Sequence, residues 1–486
     1  MEENTPFIGR EKELEDLRLL QGRKMAALAV IKGRRRIGKS RLIEEFARGK
    51  KFLRFEGIAP TRKTTSKMQK EEFARQINNQ LGLPGLGMVQ DWGDLFTILA
   101  EATKNEEVII LFDEITWMGS RDPVFLGKLK VVWDQHFSKN PNLILILCGS
   151  LSSWIEKNII SSTGFFGRIS LKLNLKELSL SDCHQLLNAR GFKGSKQEEL
   201  MALALTGGVP WYLEQINPAI SISENIRRLC FEPDGLFVEE FKYIFHDLFG
   251  KRLPICKKIV EALKDGPREY EQVAKVIHYQ SGGPLSEYLD DLIISGFLER
   301  EYTWSLRTGE EAKLSKYRIR DNYLRYYLKY IFPHLRKIKQ GIFEVSSPYN
   351  LPGWEGVMGL QFENLVLNNR REIWKALGLR VENIIFENPF FQSKTTKQAG
   401  CQIDYVIQTR FNTVYLCEIK FSHHPISIKV VHEMKQKMDA LKIPKGLACL
   451  PILIHSSGVT KAVTESKFFV QTIDFNKQFF VTGPKN

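Results

Sequence analysis

The sequence is poor in features that would place it outside the cell or in a membrane. Its 7 cysteines are odd in number and scattered, with no C-x-x-C pair. That excludes a disulfide framework and the common zinc spacings, and predicts reduced thiols in a cytoplasmic protein. No apolar run approaches the ~20 residues needed to cross a bilayer, so no membrane partner is expected. The N-terminus, Met1-Glu2-Glu3-Asn4, has no basic segment leading into an apolar one and does not read as a secretion signal. Internal repeats and low-complexity tracts are also missing. What is present is a hydrophobic content of 43%, ample for packed cores. At roughly one domain per 150 residues, the 486-residue chain is expected to form about three domains. Its net charge of +14 is spread along the chain rather than gathered in a tail, which suits DNA as a partner and equally suits solubility.

The most informative stretch is the apolar run Ala26–Ile31 leading into Gly33-Arg34-Arg35-Arg36-Ile37-Gly38-Lys39-Ser40. This is G-x-x-x-x-G-K-[ST] directly after a strand buried on both faces. Its glycines let the backbone turn tightly and offer N–H groups to phosphates. Lys39 is placed to reach the β- and γ-phosphates, and the Ser40 hydroxyl to ligate Mg²⁺. Helical periodicity from Arg41 to Ala47 adds a helix N-terminus to the same site. A second apolar run, Val108–Phe112, ends in Asp113 and Glu114. The first acid is expected to hold Mg²⁺ and the second to polarise an attacking water, so hydrolysis of ATP to ADP is expected rather than binding alone.

Residues 1–175 alternate strands, including Leu143–Cys148 and Ile169–Leu173, with helices, which predicts a parallel sheet with helical cover. Residues 176–250 read as a helical lid, with Ser179 as an N-cap and Gly207-Gly208-Val209-Pro210 as a break. Residues 251–343 read as a winged helix and a connector helix. Glu287, Asp290 and Asp291 lie on the helix that would enter a DNA groove, where phosphates would repel them, so a packing or regulatory role is favoured there. Tyr323, Tyr326, Tyr327 and Tyr330 form a stripe at helical spacing, read as packing rather than base stacking. Ser346–Gly353 is a linker.

Residues 354–486 read as a second α/β domain. In the strand Val414–Phe421, Leu416, Glu418 and Lys420 share one face. A Glu and a Lys there are costly unless they pair or bind something. Asp404 sits in a similar apolar strand, and Glu363 on a preceding helix. Together the acids could hold Mg²⁺, with Lys420 stabilising charge on a phosphate under attack. The competing reading is a Glu418–Lys420 contact and a capping Asp404 without catalysis.

Along nearly the whole chain these residues resemble the STAND-type and archaeal-type ATPases of the AAA+ class. Phe7-Ile8-Gly9-Arg10-Glu11-Lys12-Glu13-Leu14 resembles their N-terminal box, and the resemblance implies that Phe7, Gly9 and Arg10 lie near the adenine. It likewise implies a sensor role for Ser150, a γ-phosphate-sensing arginine at Arg168, and base contact by Pro210 in Gly208-Val209-Pro210. ATP-dependent homo-oligomerisation fits the same class. The C-terminal part is similar to PD-(D/E)xK nuclease-like folds. That implies Glu363, Asp404 and Glu418 as metal ligands and Lys420 as the catalytic lysine. It departs from the family pattern after Lys420, where no Q-x-x-x-Y helix is found; the nearest text is Gln436-Lys437-Met438-Asp439.

Overall fold

The computed structural model describes residues 6–61, 63–83, 91–119, 121–150, 152–280, 282–396 and 399–479, so Met1–Asn4 lies outside the described residues. The chain divides into two compact units, Phe7–Glu177 and Leu178–Asn486, the latter taking in Met1–Pro6.

The first unit is built on five strands: β1 Ala27–Gly33, β2 Phe52–Glu56, β3 Val108–Asp113, β4 Leu143–Ser150 and β5 Ile169–Leu175. Their order is β2-β3-β4-β1-β5, and every pairing is parallel. The side chains of β3 and β4 are buried throughout, because helices cover both faces and leave no polar side. This is the parallel α/β sheet that the alternating pattern predicts. One face is filled by aromatic rings, with Phe73 against Phe55, Trp92, Phe96 and Phe112 at centroid distances of 4.8–5.5 Å. With all strands parallel and β4 between β1 and β3, the C-terminal ends of the P-loop strand and the acid-bearing strand lie at the same end of the sheet.

The second unit begins with helices Leu180–Ala189, Lys196–Thr206, Pro210–Glu214, Ile222–Phe231 and Leu236–Phe249. Ser179 accepts a hydrogen bond from the Asp182 N–H, the cap its sequence suggests. Three more helices, Leu253–Leu263, Tyr270–Val276 and Gly283–Ile294, lead to an antiparallel hairpin, β6 Leu298–Trp304 and β7 Glu311–Ile319. A further bridge joins Arg268 to Tyr317. The connector is not one helix. Its helical start, Asn322–Tyr326, widens into a π-turn over Tyr327–Ile331 and breaks at Phe332–His334, where Pro333 has no N–H to donate. Tyr323, Tyr326, Tyr327 and Tyr330 are all buried, and the Tyr323 hydroxyl donates to the Phe237 carbonyl at 2.8 Å.

A separate C-terminal sheet holds β8 Ile384–Gln392, β9 Cys401–Thr409, β10 Thr413–Lys420, β11 Ala448–His455 and β12 Gln471–Asp474, in the order β12-β11-β10-β9-β8. β8, β9 and β10 form an antiparallel meander, while β10, β11 and β12 run parallel. The β6–β7 hairpin shares this sheet's core: Trp304 is packed with Phe390, Ile403, Val406, Leu416 and Met434. Its ring stacks on Phe386 at 4.4 Å, and its indole N–H donates to Gln408 Oε1 at 2.6 Å. The hairpin is therefore a packing element, held by apolar burial and a satisfied buried donor.

Candidate functional site

The P-loop follows β1 directly. Gly33 has no room for a side chain, since a Cβ would lie 2.8 Å from Ile37 and 3.0 Å from the Leu175 carbonyl oxygen. Arg36 and Gly38 take left-handed φ values of 71° and 87°, curling the loop before the helix Lys39–Ala47 begins. The buried Lys39 amine donates to the carbonyls of Gly33 at 3.1 Å and Arg34 at 3.3 Å, so it lies across the mouth of the loop. Ser40 Oγ donates to Asp113 Oδ2 at 3.0 Å. A hydroxyl and a carboxylate in contact at the end of adjacent elements are a donor set suited to Mg²⁺. Glu114 has φ +48°, an uncommon conformation for a side-chain-bearing residue, and its N–H donates to Asp113 Oδ1 at 3.1 Å. The turn thus aims two consecutive acids differently.

Sequence reasoning missed two neighbours of Asp113. Arg54 on β2 donates to Asp113 Oδ2 at 2.9 Å and to Glu44 at 2.8 Å, and lies 3.7 Å from Glu56. The only signal was a charge within Phe52-Leu53-Arg54-Phe55, and nothing there names its partner. Cys148 is buried beside Asp113, and burial, with the Asp113 charge, pushes its thiol well above the ordinary range.

The other marked residues fall in several places. Arg10, also left-handed, is buried and donates to the carbonyls of Ile37 at 3.2 Å and Lys176 at 2.6 Å, tying the N-terminal box to the P-loop backbone. Gly9 is buried and Phe7 half-buried beside it in sequence. Arg34 lies 3.8 Å from Glu177. Ile37 is fully buried, and Arg35, Arg36 and Arg41 are half-buried. Ser150 pairs in register with Gly33, and its buried hydroxyl has no hydrogen-bond partner among the described residues. Pro210 is the first residue of its short helix in the second unit. Arg168 lies immediately before β5. It precedes Ile169, which pairs with Leu28 at the start of β1, whereas the P-loop follows Gly33 at the other end. Five residues at ~3.3 Å each separate those ends by about 17 Å. The guanidinium is also clamped on Asp134 at 2.7 and 2.8 Å. Arg168 thus lies at the end of the sheet away from the P-loop of its own chain.

In the second unit, Asp404, Glu418, Lys420, Glu433, Gln436 and Lys437 line an open cleft of about 500 Å³. The β9–β10 ladder pairs Tyr405 with Cys417, so its next step sets Asp404 beside Glu418. Asp404 Oδ2 accepts from the Ile419 N–H at 2.9 Å. Burial, then the charges of Glu418 and Glu363, pushes its carboxyl up to about 7. Glu363, on the helix Trp354–Asn368, is raised by burial and opposed by Arg318 and Arg325. Glu418 is 1% exposed and ion-paired at both oxygens, with Lys420 at 3.1 Å and Lys437 at 2.5 Å. Lys420 also pairs with Glu433 at 2.9 Å; burial opposes its charge, but the two glutamates outweigh this and raise its pKa. Sequence reasoning assigned no role to Lys437. Its helix, Lys429–Ala440, brings it from well beyond Lys420. Among the described residues no group of three or more His, Cys, Asp or Glu side chains is arranged to hold a metal, and no helix is long and apolar enough to cross a membrane.

Comparison with known proteins adds a family. The family described as an ATPase domain predominantly from Archaea matches residues 7–216. Over 360 residues the chain is 26% identical to the uncharacterized protein MJECL04 of Methanocaldococcus jannaschii, covering 71% of this chain and 74% of that one. Among solved structures it is similar to the Walker-type ATPase PABY2304 of Pyrococcus abyssi, with 18% identity, 66% of this chain and 96% of that one covered, and a TM-score of 0.46. It is also similar to the ORC2 protein of Aeropyrum pernix, with 16% identity, 70% and 96% covered, and a TM-score of 0.43. Residues 7–216, which carry the P-loop and its paired acids, match the model of an ATPase domain predominantly from Archaea.

Proposed function

We propose that this chain is an ATP-switched enzyme of the AAA+/STAND-like class, and that its C-terminal cleft cleaves DNA with Mg²⁺. In the ATPase domain, Lys39 and the loop from Gly33 to Arg41 grip the phosphates. Ser40 and Asp113 carry Mg²⁺, Glu114 polarises water, and Ser150 senses the γ-phosphate. Phe7, Gly9, Arg10 and Pro210 serve the adenine end. Arg168 senses the γ-phosphate of a nucleotide on a neighbouring copy.

The observation carrying the nuclease part is the meeting of Asp404, Glu418 and Lys420 in one open cleft. The order helix, three-stranded meander, helix, parallel strand supports it, since it resembles the PD-(D/E)xK arrangement. A net charge of +14 favours a polyanionic partner. A second reading, an ATP-switched scaffold whose cleft only binds DNA or protein, is favoured by the ion pairs that occupy both Glu418 oxygens. The hairpin's burial in the C-terminal core and the acidic face of Gly283–Ile294 favour a structural winged helix in either case.

Nicking of supercoiled DNA by the full chain with Mg²⁺, with and without ATP, tests the proposal. Cleavage lost in Asp404→Ala and Lys420→Ala is the expected result. Cleavage surviving both, or none in any condition, leaves the scaffold reading.

A further inference from the structure

We propose that Lys437 is a tethered counter-cation seated where a divalent metal would bind in the carboxylate cleft, so that metal binding requires its displacement. This rests on the metal-dependent reading of the cleft given above.

Lys437 Nζ lies 2.5 Å from Glu418 Oε2 and 3.8 Å from Asp404 Oδ1, and so bridges carboxylates from neighbouring strands. A metal joining Asp404 to Glu418 needs those same oxygens, at ~2.1 Å for Mg²⁺. The other Glu418 oxygen lies 3.1 Å from the Lys420 ammonium, an ion pair outside hydrogen-bond geometry. The Lys437 ammonium therefore lies against both of the oxygens that a bridging ion would take. One ammonium has to move.

The two lysines are not equivalent. Lys420 stands two residues from Glu418 on the same strand face and keeps a second partner in Glu433 at 2.9 Å. Lys437 comes from a separate helix, whose backbone is held by the Cys401 thiol donating to the Lys437 carbonyl at 3.3 Å. Its four-carbon stem can swing into the open cleft while the helix stays in place. The cation the acids need is supplied by the chain itself, which avoids leaving buried carboxylates unpaired.

The test is Mn²⁺ titration of the nucleotide-free full chain by calorimetry, comparing wild type, Lys437→Met, Lys437→Gln and Lys437→Met/Asp404→Asn, with folding checked by circular dichroism. Removing the competing ammonium should tighten Mn²⁺ binding about tenfold in both single variants, and Asp404→Asn should abolish the gain. Equal affinity in wild type and both single variants, with binding still dependent on Asp404, overturns the counter-cation while the metal reading stands. Weaker binding in the single variants also overturns it, making Lys437 a positioning residue for the acids. No Asp404-dependent binding in any variant overturns both.

Discussion

The two sites of this protein bring acids and bases together by opposite routes. In the P-loop site the phosphate-gripping lysine and the hydroxyl are consecutive residues, and one parallel sheet brings Asp113 to Ser40 at 3.0 Å. In the C-terminal cleft the charged groups come from two antiparallel strands and the helix Lys429–Ala440, and they pair with one another. The P-loop site is dominated by backbone geometry and the cleft by side-chain charge. Yet both place a base on the key acid: Arg54 on Asp113, and Lys437 on Glu418. The difference teaches that a phosphate-binding loop is specified locally, whereas a carboxylate cluster depends on whichever cation the fold delivers to it.

The strongest way to break the comparison is to disable one site and measure the other. Lys39→Ala should weaken ATP binding by at least about a hundredfold, because its amine is the cation lying across the loop's mouth between the Gly33 and Arg34 carbonyls. Glu114→Gln should keep binding and trap ATP unhydrolysed. Equal turnover in Glu114→Gln and wild type would remove Glu114 from the chemistry. Fluorescent-nucleotide titration and phosphate release read the two effects.

A second perturbation separates packing from chemistry. Trp304→Ala should destabilise the second unit by ~3 kcal/mol or more, since it empties a shared core and orphans Gln408. Thermal unfolding followed in that variant should leave ATP binding in the first unit intact. A loss below ~1 kcal/mol would mean that the hairpin is not an integral part of that core.

Arg54→Met sharpens the comparison from the other side. Freeing Asp113 should lower the Mg²⁺ concentration for half-maximal ATP hydrolysis by about threefold, the scale of one half-exposed ion pair. An unchanged or raised requirement would make Arg54 a support for Asp113 rather than its competitor.

The smallest expected effect concerns Arg168. Its guanidinium holds the Asp134 carboxyl down to about 2, with Lys130 assisting, while desolvation works the other way. The pair contributes stability above the unfolded carboxylate range near pH 4, and that contribution is lost as pH falls through about 2. Because both side chains are about a third exposed, Arg168→Ala should cost less than ~1 kcal/mol at pH 6, and the difference should vanish near pH 2. A large loss of ATP turnover in this variant, with stability unchanged, would instead favour action on a neighbouring copy.

Much of this architecture was legible because it is periodic or local. Val108–Phe112 and Leu143–Cys148 could only be buried strands, and Gly33 to Ser40 is one contiguous signal. The acids Asp404 and Glu418 were legible as charges in apolar strands, where burial demands a partner. Three things were hidden, each set by distant contacts. The partner of Arg54 depends on which strand lies beside β2. The reach of Arg168 depends on which end of the sheet it occupies. Lys437 is one lysine among many on an amphipathic helix, and only the packing of Lys429–Ala440 against β9 selects it. The connector's break at Pro333 was readable from proline's missing donor, but the aromatic stripe suggested a single continuous helix.

The central claim is that ATP hydrolysis and cleft chemistry belong to two separable sites in one chain. Its most direct measurement is ATP hydrolysis and Mg²⁺-dependent DNA nicking assayed side by side on wild type, Glu114→Gln and Asp404→Ala. The account predicts that Asp404→Ala abolishes nicking with hydrolysis within about twofold of wild type, and that Glu114→Gln abolishes hydrolysis. Hydrolysis lost in Asp404→Ala, or nicking unaffected by it, would contradict the account.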